Sequence, residues 1–174
     1  MRIFLDFEAS SLSKQSYPIE VGWVLEDGTG EGHLIRRAPE WHDWDNKAEA
    51  LHGISREQLL RDGTPHELVC ARLIEIFAGN IVYASAPSWD GHWLSMLLRA
   101  AGHPRHLLRL KDTEETFVEA AQARVGPKHA ANRIAEARTR SEARAVAHRQ
   151  WRTRGANGRS GAISSRAWIR AFTP

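Results

Sequence analysis

The first strand of this chain ends in two acids, and that combination limits the folds open to it. Ile3–Phe7 is β-branched and aromatic, so it reads as a buried strand, with Asp6 and Glu8 at its end. Residues two apart on a strand share a face. Two carboxylates on one face of a buried strand are costly unless something positive neutralises them. Hard divalent cations, Mg²⁺ or Mn²⁺, prefer such oxygen ligands. Taken alone, Asp-x-Glu at a strand end is also the look of a solvated terminus, so the rest of the chain has to decide between the two.

The pattern that follows predicts alternating strands and helices. Ile19–Leu25 reads as a second strand, Asp27-Gly28 as a turn, and His33–Arg36 as a return strand, which makes an antiparallel meander. Trp41–Asn46 reads as irregular. Ser55, with Gln58 three residues on, reads as a helix N-cap. Thr64-Pro65 then starts a helix to about Phe77, with Leu68, Val69, Leu73 and Phe77 at helical spacing and Gly79 beyond its end. Ile81–Ala84 is another short buried strand, a helix runs from about Asp90 to Ala101, and Leu107–Leu110 is a fifth strand. Glu114–Arg124 and the Ala- and Arg-rich stretch 128–149 are helical in composition. These elements make an α/β domain with a mixed sheet.

Composition narrows the class further. A chain of 174 residues with 42% hydrophobic content suits one domain with a real core. Its one cysteine, Cys70, rules out an internal disulfide and a zinc cluster built on Cys pairs. No apolar run approaches the roughly 20 residues that span a bilayer, and acids directly after the first apolar run are unlike a signal peptide. The expectation is a soluble, reduced, cytoplasmic protein with no membrane partner. The net charge of +3 conceals a split. Residues 1–123 carry 12 basic and 19 acidic side chains, a balance of −7, while residues 124–174 carry 12 basic and two acidic ones, a balance of +10. A basic tail invites nucleic-acid contact.

Three ordered motifs sharpen this reading. Asp6-Phe7-Glu8-Ala9-Ser10-Ser11-Leu12 resembles the first motif, Asp-x-Glu-x-Thr-Gly-Leu, of the DEDD (DnaQ-like) 3′–5′ exonucleases. That superfamily includes polymerase proofreading subunits, ribonuclease T and oligoribonuclease. Ser10 stands for Thr and Ser11 departs from Gly. Leu51-His52-Gly53-Ile54-Ser55 is similar to the His-Gly-Ile-(Ser/Thr) that the superfamily often carries after its meander. Trp89-Asp90, with Leu94 four residues on, resembles the second motif, an aromatic-Asp pair opening a helix after a strand. Together the motifs cover about residues 3–110.

The resemblance implies a ribonuclease H-like fold, a five-stranded mixed sheet flanked by helices, and a two-metal phosphodiester hydrolysis with Mg²⁺ or Mn²⁺. By carry-over, Asp6 bridges both metals, and Glu8 and Asp90 complete the protein ligands. The implied substrate is the 3′ end of single-stranded DNA or RNA, and a homodimer is in keeping with related folds. Trp89, Trp93 and Phe7 are candidates for stacking on bases, as well as for the core.

The third family motif, His followed five residues later by Asp, is incomplete. The His would be the general base. His148, with Arg149 after it, fits the family's usual opening better than His129, yet Thr153 stands five residues on and Ile134 stands five residues after His129. Codons permitted for Gln150–Arg159, regrouped to start one base earlier, can read Ala-Met-Ala-Asp-Ala-Arg-Arg-Glu-Trp-Ala. That string follows His148-Arg149 with an Asp where Thr153 stands, and it turns a structureless Arg/Gly stretch into a good helix. The expectation is an exonuclease-like domain over 1–149 and a basic tail over 150–174 produced by a frameshift. Such a chain would bind metal weakly and cut poorly. The alternative is an inactive exonuclease-fold protein that binds nucleic acid or a protein partner.

Overall fold

In the computed structural model, residues 1–113 are described, and the first of two compact units spans Met1–Asp112. The boundary expected at 149/150, the helices expected beyond residue 113, and both candidate histidines, His129 and His148, lie outside the described residues.

Three antiparallel strands open the unit: β1 (Arg2–Ala9), β2 (Pro18–Leu25) and β3 (Gly30–Arg36). Their alternation is clean. Ile3, Leu5 and Phe7 of β1 and Ile19, Val21 and Trp23 of β2 are buried, whereas Phe4, Asp6, Glu8 and Glu20 share the other, partly exposed face. The β2–β3 turn is held by Asp27, whose carboxylate accepts from the Thr29 amide at 2.8 Å and the Thr29 hydroxyl at 2.6 Å.

After the meander come α1 (Asn46–His52) and α2 (Arg56–Asp62). The second was expected from Ser55, whose hydroxyl accepts from the Gln58 amide at 3.1 Å. The first was not expected. Asp45 caps it by accepting from the Lys47 amide, and Gly53 ends it with φ 74°. The His-Gly-Ile-Ser string therefore joins two short helices: Gly53 turns the chain, Ile54 enters the core, and Ser55 starts α2.

β4 (Thr64–Pro65) corrects the expected strand count. It pairs in parallel with Ile35 and Arg36 of β3 and makes a sixth, two-residue edge strand, so Thr64-Pro65 is sheet and α3 is confined to His66–Phe77. Proline is tolerated there because an edge strand has no ladder partner to receive its missing N–H. β5 (Ile81–Ala84) and α4 (Pro87–Ala100) follow, and β6 (Leu110–Asp112) replaces the strand expected at Leu107–Leu110. The sheet order is β4-β3-β2-β1-β5-β6, with β1, β5 and β6 parallel. This is a mixed α/β sheet flanked by helices, with β1 at its centre. Val69, Leu73 and Phe77 of α3 and Leu94, Leu97 and Leu98 of α4 join the strands in one core, and Phe77 meets Trp23 edge-on at 5.8 Å. Cys70 lies in that core, and burial pushes its thiol up to about 11.

The α2–β4 junction depends on close backbone approach. A Cβ on Gly63 would meet the Leu59 carbonyl and lie 2.8 Å from the Arg36 amide nitrogen. Gly63→Ala is expected to lose about 1–3 kcal/mol in urea unfolding. Gly91→Ala, inside α4 with open space around the new Cβ beyond its own helix backbone, is expected to gain up to about 1 kcal/mol. Equal effects at the two positions would contradict the packing described.

Candidate active site

β1 delivers its acids to the point where its ladder with β5 runs out. The last parallel pair is Leu5 with Ala84; beyond it β5 gives way to the turn into α4. The amide of Phe7 therefore has no strand residue to bond on that side. Asp90, in the first turn of α4, supplies the acceptor: its Oδ1 accepts from the Phe7 N–H at 3.3 Å and its Oδ2 from the Ala86 N–H at 3.2 Å. The residue is 1% exposed. Burial raises its carboxyl to about 6, against the two amide bonds, which favour its charged form.

Asp6 and Glu8 lie to either side of Phe7 on the partly exposed face. Among the described residues Asp6 is the most perturbed acid. Burial, and then the charges of Asp90, Glu8 and Glu20, push it up to about 8. Glu20 was missed in the sequence. It stands directly opposite Glu8 in the β1–β2 register. The available signal was its outward position in the alternation of Ile19–Leu25, but only the register tells which β1 residue it faces. Like charges opposite one another on a sheet repel, so the site gathers negative charge around Asp6.

The loop after β1 is held by Asp43. Its carboxylate accepts from the hydroxyls of Ser10, Ser11 and Ser13, the first at 3.2 Å and the last at 3.1 Å. The two serines that depart from the Thr-Gly pattern thus have a physical account: both are buried, and both hydroxyls are used. Trp93 closes the loop from α4, its indole N–H donating to Ser16 Oγ at 2.9 Å. Trp93 and Phe7 are 6% and 5% exposed and belong to the core, which removes both as base-stacking candidates, whereas Trp89 is 39% exposed and stacks on Trp93 at 5.6 Å.

Oxygen donors and excess negative charge on one face are groups that a hard cation could bind. Among the described residues, however, no three His, Cys, Asp or Glu side chains are gathered at ligand spacing. Both oxygens of Asp90 are turned to backbone amides.

No protein-family model and no curated protein matches the chain. Solved structures do. A metal-free complex of exonuclease I from E. coli with single-stranded DNA aligns with TM-score 0.57 and 13% identity over 72% of this chain and 31% of that one. A product-bound exonuclease I aligns with TM-score 0.56 and 12% identity over 71% and 32%. Apo exonuclease I gives 0.57 and 13% over 72% and 32%. The chain spans about a third of the length of these proteins. Among the described residues no helix is long and apolar enough to cross a membrane.

The raised acids set a pH dependence. Between Asp6's ordinary 3.8 and its folded value of about 8, the folded chain holds a proton that the unfolded chain has lost. Stability therefore falls as pH rises through that window. Asp90, raised to about 6, adds the same sign in the lower part. In chelator, the midpoint of thermal unfolding is expected to be higher at about pH 5 than at about pH 8.5, and Asp6→Asn is expected to flatten the difference. An unchanged slope in that variant would contradict the assignment. The structural matches show for the chain a fold like that of exonuclease I, a mixed sheet flanked by helices that resembles the ribonuclease H-like architecture.

Proposed function

We propose that the chain is a metal-dependent 3′–5′ exonuclease of the histidine-containing DEDD group, acting on the 3′ end of single-stranded DNA or RNA. The observation that carries this is the tie between the two sequence motifs: Asp90 bonds to the amide between Asp6 and Glu8, in a sheet of the exonuclease I type.

Asp6, Glu8 and Asp90 would hold two Mg²⁺ or Mn²⁺, which when bound activate water and stabilise the leaving oxygen. The chain's own groups have distinct tasks. Asp90 joins α4 to β1 and so fixes where the acids meet. Asp43 holds the loop after Glu8 in place. Trp89 presents a half-exposed ring, backed by Trp93, on which a base can stack. His148, or His129 in its stead, accepts the proton of the attacking water.

A specific feature favours a weaker version. Thr153 offers a neutral oxygen where the family has its fourth acid, and among the described residues three ligands are not brought together. The chain as written is then a nucleic-acid binder with low or no cleavage, and its tail from Gln150 is a shifted reading frame.

Digestion of 3′- and 5′-labelled DNA and RNA oligomers in Mn²⁺ tests this. The chain as written is expected to shorten strands slowly from the 3′ end, and Asp6→Ala to abolish it. The gene read one base earlier from codon 150 is expected to raise the rate by more than the roughly 10–100-fold that an outer-shell partner contributes. A frame-restored chain that binds strands and never cuts them would leave only the binding reading.

A further inference from the structure

The segment that leads from α4 to β6 carries an unusual local charge. The chain up to residue 123 has a balance of −7. Yet the cleft of about 420 Å³ between α4 and residues 105–110 is lined by Arg105, Arg109, His92, His106 and Ser95, and by no described carboxylate. Neither guanidinium belongs to any ion pair among the described residues, all of which lie elsewhere. Arg105 donates through Nε to His106 Nε2 at 2.8 Å, which fixes the base of its fork and leaves the two terminal nitrogens for a further acceptor. His92 adds an independent signal. Its Nε2 is buried and has no hydrogen-bond partner among the described residues. Buried polar atoms are almost always satisfied; this one is shielded from solvent, and it gains a partner from the cleft only when the His92 ring turns outward.

Two guanidiniums, a ring nitrogen and a hydroxyl around one small space match a phosphate group, whose oxygens take bidentate bonds from arginine. The place of the cleft relative to the acids supplies the rest. His92 and Ser95 follow Asp90 by two and five residues on the same helix, hence about 3 and 7.5 Å along its axis. Trp89 lies on the same turn and touches the His92 ring edge-on at 6.5 Å. We propose that this cleft binds a backbone phosphodiester of a single strand upstream of its 3′ end, while Trp89 carries a base between cleft and acids. The proposal rests on the nuclease reading and adds to it a strand path along α4.

The test is anisotropy of a 5′-fluorescein oligo(dT) on the full chain, in chelator so that nothing is cut, across a NaCl series. Arg105→Ser/Arg109→Ser is expected to weaken binding and to reduce the slope of log K against log salt by about 0.7, the share of the one single-strand phosphate that the two arginines neutralise together. His92→Leu is expected to weaken binding with little change of slope. A charge-matched control, Arg36→Ser/Arg61→Ser, changes two exposed arginines away from the cleft and is expected to leave both quantities close to those of the unaltered chain. An unchanged affinity and slope in the cleft variant, or an equal loss in the control, would overturn the cleft alone. Failure of the unaltered chain to bind any oligomer would also overturn the cleft, while the nuclease reading stands or falls on the digestion in Mn²⁺.

Discussion

One buried carboxylate joins the two halves of this site. Asp90 accepts from the amide of Phe7, 83 residues away in the chain, at the point where β5 has no further residue to offer β1. Without that acceptor a buried N–H would go unbonded, at a cost of about 1–3 kcal/mol. With it, the first turn of α4 is locked to the end of the central strand. Everything placed by α4 then has a fixed relation to Asp6 and Glu8: the Trp93 indole that closes the serine loop, the exposed Trp89 ring, and the His92 side of the cleft.

The same tie creates an electrostatic problem. It brings a third carboxylate to a strand that already carries two, and the β1–β2 register adds Glu20 opposite Glu8. Asp6, half-buried beside these charges, has its carboxyl pushed up to about 8. A site that keeps a proton against desolvation and repulsion is one that a cation would stabilise by taking that proton's place. Asp90, in contrast, has committed both oxygens to the backbone. Each oxygen accepts one amide bond and keeps a further lone pair, so the tie to the backbone leaves room for a ligand bond.

Much of this was legible in the sequence. β1, β2 and β5 follow from β-branched runs, α2 from Ser55, and the pairing of Asp-x-Glu with Trp-Asp from motif order. What was hidden depended on partners distant in the chain. No residue of α1 is buried, so it has no apolar period, and its caps Asp45 and Gly53 read as loop. β4 is two residues that become a strand only beside Ile35 and Arg36. Glu20 joins the acids through register. Trp93 and Phe7 carry the residue types of a base platform, yet α4 and the sheet bury both. Ser10 and Ser11 departed from the family pattern because a loop carboxylate, Asp43, uses their hydroxyls.

The charge split of the sequence takes on two meanings in the folded chain. The acidic first portion encloses an acidic centre and, beside it, a local basic cleft; the basic last portion holds the incomplete third motif. The central claim is that the acids tied together by Asp90 form a cation site. Titration of the chain with Mn²⁺, followed by loss of the free-ion electron paramagnetic resonance signal, tests it most directly. Saturable binding that Asp6→Ala and Glu8→Ala each remove, and that Glu26→Ala leaves intact, is the predicted result. Binding that survives both site substitutions, or no binding by the unaltered chain at all, would contradict it.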